Sequence, residues 1–274
     1  MLCECDIQKR TFDPCLLLAK KEKLAFSRRP VLLKFPTDQP TAFVSTSWMI
    51  LMFRSLFSGV ALLAVGAACT AQAQTVTTPE QLLTEFSRCD AHFFESLRDA
   101  RLPEGTLRLS DYGSVKAPTI MSPLQEGGTY QHFETPLIVN GVRMVGYYNQ
   151  AETIKDVGNF LFWGFVADGL PQEVAAKLKP LIVDNARFVS QGKAITRAEI
   201  RRVGDPIGQW RTEGLTGPGV ATPFGFIDRV LIVDTGDTTP PLAGHTTVFC
   251  SLQGTVTAPL LQVYRPDLNA HLLD

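Results

Sequence analysis

Past residue 74 the chain carries only two cysteines, Cys89 and Cys250, and only four histidines, His92, His132, His245 and His271. That scarcity excludes a good deal. With no C-x-x-C there is no dithiol redox centre. No H-E-x-x-H or paired-histidine spacing marks a zinc site, and His132 with Glu134 supplies at most two of the three or four ligands zinc needs. The G-x-S-x-G nucleophile elbow is missing. Gly127-Gly128 and Gly217-Pro218-Gly219 lack the lysine and the motif context of a phosphate loop, so they read as turns. No cofactor and no metal are expected.

The chain also lacks an uninterrupted apolar run of the roughly 20 residues that a membrane span requires. What it has is shorter and of another kind. Met52-Phe53-Arg54-Ser55 precedes a 13-residue apolar run at 56–68, followed by Cys69 and the small-x-small site Ala71-Gln72-Ala73. One charge, a short apolar core and a small-residue cleavage site read as a secretory signal peptide over residues 52–73. Residues 1–51 show neither helical nor strand periodicity. They are expected to be either a non-native extension, with translation beginning at Met52, or a disordered one. Residues 74–274 then form a single mature, exported domain, periplasmic or secreted, with no stable membrane span once the signal is removed. An alternative is a lipid anchor through Cys69.

Removing the leader changes the charge balance. Residues 1–74 hold 9 Lys+Arg and 5 Asp+Glu, which leaves 17 basic and 22 acidic residues and a formal charge of −5. A nucleic-acid partner, which demands a basic surface, is therefore not expected. In an oxidising compartment Cys89 and Cys250 read as one disulfide. Closing so long a loop stabilises by roughly 4–5 kcal/mol on the chain-entropy account.

The fold class is α+β: an N-terminal amphipathic helix packed on a mainly antiparallel sheet, with a second short helix. Thr78-Pro79-Glu80 supplies a helix cap, a proline at the first helical position and an acid at the positive end. Leu82, Phe86, Cys89, Phe93 and Leu97 then recur at helical spacing, which predicts a helix ending near Pro103 with Cys89 in its apolar stripe. Residues 129–139 and 142–149 flank Asn140-Gly141, the strongest two-residue hairpin signal. Pro136 marks an edge or a bulge. The run 160–167 (FLFWGFVA) suits a buried strand. The second helix is expected over 171–183, strained by Pro180. Thr196-x-x-Glu199 fits a capping box or an extended segment. Residues 204–223 read as a long loop, and 227–233, 246–252 and 255–263 as strands.

The function expected from this pattern is non-catalytic binding of a protein partner or a small apolar ligand, with inhibition or escort of an exported protein as one form. The candidate binding residues are Trp210 and Arg211 on the long loop, with Tyr147 and Tyr148 beside the hairpin, because Trp, Tyr and Arg are the usual interface anchors. Trp210 is equally well read as a plug beneath the loop. The alternatives are an extracytoplasmic hydrolase that assembles His132, Glu134 and His245 in one cleft, and a structural envelope component. Two further constellations, Asp234 with His245 and Ser251, and carboxylate pairs among Asp111, Glu126, Glu134 and Asp234, rest on common residues without diagnostic spacing.

Overall fold

In the computed structural model the described residues are 76–125, 127–213 and 220–268, all within one compact unit, Gln74–Asp274. Residues 1–51, the apolar run 56–68, Cys69, Glu126, Gly217-Pro218-Gly219 and His271 lie outside them.

The protein is mixed helix and sheet: mostly antiparallel sheet, with a few short helices. Helix α1 (Pro79–Phe86) opens with a capping box, Thr78 accepting from the Gln81 N–H while the Gln81 side chain accepts from the Thr78 N–H. The helical periodicity predicted one long helix here; the chain instead makes two short ones. Cys89 adopts φ 55°, a left-handed conformation that no helix tolerates in its interior. Asp90 restarts the coil by accepting from the His92 N–H, and α2 (His92–Ser96) follows. Leu82, Phe86, Cys89, Phe93 and Leu97 are nonetheless all buried. The break redirects the apolar stripe without exposing it.

A small hairpin, β1 (Leu109–Tyr112) and β2 (Val115–Pro118), precedes the main sheet. Seven strands follow: β3 (Thr129–Val139), β4 (Val142–Ile154), β5 (Gly158–Ala167), β6 (Val189–Gln191), β7 (Ala194–Arg202), β8 (Phe226–Thr235) and β9 (Thr246–Gly254). Their order is β3-β4-β5-β9-β8-β7-β6, antiparallel throughout. Two meanders thus meet at the β5–β9 pairing in the middle. Asn140 and Gly141, both at positive φ, turn β3 into β4 as their sequence demands. Pro136 sits in a bulge of the edge strand: His132 pairs with Gly146 and Leu137 with Met144, so four residues of β3 face one of β4.

The run 160–167 forms the heart of β5. Leu161, Trp163 and Phe165 are buried on the helix side, where the rings of Phe86, Phe93, Tyr147 and Phe165 meet edge-on or stacked at 5.1–6.3 Å. Val145, Tyr148, Val166, Leu242 and Phe249 form a second, smaller cluster. Between the meanders, α3 (Pro171–Leu178) ends sooner than its periodicity predicted. Pro180 lacks an N–H to donate, and the chain finishes in a 3₁₀ turn at Lys179–Leu181. Thr196 and Glu199 lie on β7, so the capping box is not formed. Residues 255–263 are not a strand: α4 (Ala258–Tyr264) occupies them, with Pro259 in its first turn and Leu260, Leu261 and Tyr264 buried at helical spacing. Cys89 and Cys250 stand at disulfide distance, their sulfurs 2.03 Å apart, linking the α1–α2 junction to the central strand β9.

Candidate functional site

The long loop predicted over 204–223 connects β7 to β8, and its base is firmly built. Ile200 and Arg211 exchange both backbone hydrogen bonds at 2.8 Å, and the Val203 N–H donates to the Gly225 carbonyl at 2.8 Å. Asp205 accepts from the Arg202 N–H at 2.9 Å and from the Arg211 guanidinium at 2.6 Å. That backbone bond, with the Arg211 and Arg201 cations beside it, holds the Asp205 carboxyl below its ordinary range.

Beneath this lies a network of charge. Burial alone would raise the Glu199 carboxyl, but Arg229, at 2.6 and 3.1 Å, and Arg187, at 2.7 Å, outweigh it and hold Glu199 below the usual carboxylate range. Trp210 is part of this base. Its indole N–H donates to the Tyr264 hydroxyl at 2.6 Å, its ring meets Tyr264 edge-on at 5.5 Å, and the Arg229 and Arg201 guanidinium carbons lie 4.5 and 5.6 Å from its centroid. Every polar and aromatic feature of Trp210 therefore points into the protein, as befits a plug. Arg211 is exposed at its tip, but its charge is engaged by Asp205.

What the connection offers to solvent is apolar. Phe224 is 85 % exposed, Val220 57 %, Ile207 54 % and Val203 37 %. Backbone bonding of Val203 to Gly225 sets Val203 beside Phe224, and Ile207 follows after the tight turn at 202–205. The connection thus holds out aliphatic and phenyl groups, while Trp210 and Arg211 are engaged within its base.

Tyr147 and Tyr148 are both lost to the interior, at 1 and 6 % exposure. Tyr147 packs against Phe93 and Phe165, where burial pushes its hydroxyl far above the ordinary phenol range. Tyr148 stacks on Phe249 at 5.6 Å and donates to the Gly127 carbonyl at 2.9 Å. They project to opposite faces of β4, and both faces are covered there.

At the other end of the sheet, His132, Glu134 and His245 do line one recess, of about 400 Å³, together with Arg143 and Asp168. The Asp234–His245–Ser251 triad is not formed. The carboxylate beside His245 is Asp168, at 3.2 Å. Ser251 is fully buried, and six residues of strand, about 20 Å at the usual rise, separate it from His245. Asp111, Glu134 and Asp234 sit on three separate strands, β1, β3 and β8. Among the described residues no group of three His, Cys, Asp or Glu side chains is placed to hold a metal ion, and no helix is long and apolar enough to cross a membrane.

Against protein-family models, curated proteins and solved structures, nothing matches this chain. The residues that sequence reasoning missed are Phe224, Arg143 and Asp168. The first is one phenylalanine among 17. The other two stand 25 residues apart and meet only through the β4–β5 register.

Proposed function

We propose that this is an exported, non-catalytic binding protein. Residues 52–73 direct it out of the cytoplasm, and the mature domain works in the periplasm, free or held through a lipid on Cys69. The amphipathic helix at its N-terminal side and the Cys89–Cys250 staple serve as scaffold. The β7–β8 connection serves as the docking element for a protein partner. One observation carries this reading: four large apolar side chains project from a connection whose base is locked by hydrogen bonds, ion pairs and an inward-facing tryptophan. Apolar groups held out to water on a rigid base favour association, since covering them releases hydration at little cost in chain entropy.

The test is site-specific photocrosslinking in the exporting cell. A photoreactive residue at Phe224 or Ile207 is expected to give one discrete adduct, and one at exposed Lys155, on the β4–β5 turn, none. Equal labelling from all three positions, or none from Phe224 and Ile207, would sink the reading.

A second reading, an extracytoplasmic hydrolase, has the shared recess of His132, Glu134 and His245 in its favour. Among the described residues, the side chains lining that recess include no serine, threonine, cysteine or lysine. Hydrolysis there would need water activated by a histidine or by Glu134 acting as general base. Turnover of a chromogenic ester or glycoside that is abolished in His245→Ala and Glu134→Gln would establish it.

A further inference from the structure

The recess at the β3–β4 end has a different chemistry from the loop tip, and we infer that it is a binding site for a small amphipathic carboxylic acid. Its volume, about 400 Å³, falls in the range of small-molecule sites. One wall is the β3 bulge, where Glu134 and Pro136 reach the recess while the Phe133 side chain stays buried in the main core. The opposite wall is Asp168 after β5, with Pro241 and His245 from the connection before β9. Between them lie Val145 and the ring of Tyr130. That ring rests directly on Gly146, where a Cβ would stand 2.2 Å from the Tyr130 hydroxyl oxygen. Tyr130 donates to the Val145 carbonyl at 3.2 Å, so its hydroxyl is satisfied and its ring serves as surface.

The charged groups divide unequally. Asp168 is occupied: one oxygen accepts from Arg143 Nη1, and the other lies 3.2 Å from His245 Nδ1. That second approach is badly aligned, so Nδ1 remains buried without a hydrogen bond among the described residues. Among the described residues Arg143 spends only Nη1, on Asp168, and its side chain is 55 % exposed, so the remaining guanidinium N–H groups are left to donate outward. His132, exposed, adds a second imidazole. The unspent capacity is therefore that of a guanidinium edge, all donor, with two imidazoles that each carry at least one N–H. Glu134 is the one lining carboxylate without a cationic partner among the described residues. A carboxylate suits a guanidinium edge better than any neutral group, because its two oxygens match the parallel N–H pair. The apolar surface of Pro136, Val145, Pro241 and the Tyr130 ring would take an alkyl or aryl body.

The experiment uses the purified protein with its disulfide intact and three probes of one length: octanoate, 1-octanol and octylamine. Titration is followed by calorimetry and by backbone amide shifts. Octanoate is expected to saturate a single site and to bind at least about tenfold more tightly than octanol or octylamine, with shifts at Phe133, Val145 and His245. Arg143→Gln should weaken octanoate by about tenfold or more, and His245→Ala by several-fold. Because Arg143→Gln leaves Asp168 without its partner and could unsettle the fold, Glu134→Gln is the second arm. It removes an exposed like charge, so octanoate should bind about two- to threefold more tightly. Octanoate binding no better than octanol, octylamine binding best, or affinity indifferent to both Arg143→Gln and Glu134→Gln would each overturn the assignment.

Discussion

The two ends of the main sheet solve opposite problems with similar residues. Under the β7–β8 connection the charges are matched to one another: Glu199 with Arg229 and Arg187, Asp205 with Arg211. The polar atoms left without a partner among the described residues, on Arg197, Arg201 and Asp228, are buried, and the large apolar groups that face water are Phe224, Val220, Ile207 and Val203. In the β3–β4 recess the charges are only partly matched. Arg143 and His245 share a single carboxylate, and the rest of the half-exposed Arg143 guanidinium has no partner among the described residues. The first arrangement suits a surface that covers apolar groups. The second suits a small molecule that completes a hydrogen-bond set. What an end of the sheet can recognise thus follows from which of its groups reach solvent unsatisfied, more than from which residue types it holds.

The largest effect should come from what both ends share. Replacing Cys89 and Cys250 by alanine opens a loop of 161 residues and should cost roughly 4–5 kcal/mol on the chain-entropy account. The staple lands on β9, which pairs with β5 on one side and β8 on the other, so both ends should weaken together. Urea unfolding followed by fluorine NMR of labelled tryptophans would report Trp163 for one meander and Trp210 for the other. Loss at one end alone would show that the two meanders are separately stable, and the comparison would have to be redrawn as one between subdomains.

Next in size is Glu199→Ala. It leaves Arg229 and Arg187 without their shared carboxylate, and the Arg229 side chain is only 11 % exposed. Removing one partner of a mostly buried pair costs about 3 kcal/mol. The disturbance should register at the Trp210 resonance and leave octanoate titration of the recess unchanged. The same carboxylate gives a pH dependence. Glu199 is held below its ordinary range, so its contribution is complete above that range and is lost as the pH falls through the depressed folded value. The acid limb of the stability curve should therefore flatten in the Glu199→Ala protein.

Several parts of this architecture were legible because they depend on neighbours in sequence. Asn140-Gly141 demanded a hairpin, the apolar run at 160–167 a buried strand, and Thr78-Pro79 a helix start, since each signal acts within a few residues. The two cysteines past residue 74 pointed to each other by elimination. The failures share a different cause. Tyr147 and Tyr148 read as interface residues because Tyr is a usual anchor type, yet apolar clusters cover β4 on both sides. Trp210 read as an anchor as much as a plug, and its hydrogen-bond partner Tyr264 lies 54 residues away, at the end of a helix where a strand was expected up to residue 263. Arg265 and Asn149, 116 residues apart, meet in the interior beneath the ring of Trp163. No local pattern announces such meetings.

Asp228 offers a smaller effect with the opposite sign. It is buried on β8 and, among the described residues, accepts only from Thr222 at 2.7 Å and pairs with no cation, so burial raises its carboxyl above the ordinary range. For a raised acid the folded state is penalised at high pH, and stability is regained as the pH falls through the raised value. Asp228→Asn should therefore stabilise the protein near neutral pH by about 1 kcal/mol or less, and the gain should vanish in acid. A gain that persisted in acid would mean that the amide makes a new contact and that the carboxylate carried no desolvation cost.

The smallest effect on stability is the sharpest test of the two ends. Phe224→Ser with Ile207→Ser should change unfolding free energy by no more than about 0.5 kcal/mol, because groups already in water lose little by truncation. It should nevertheless abolish the crosslinked adduct from a photoreactive residue at Val220, while octanoate binds the recess as before. The reciprocal variant, Glu134→Gln, should sharpen octanoate binding and leave that adduct unchanged. A loss above about 1 kcal/mol in the Phe224→Ser protein would mean that the tip is packed in solution. The β7–β8 connection would then be a structural cover, and the recess alone would remain as a site of recognition.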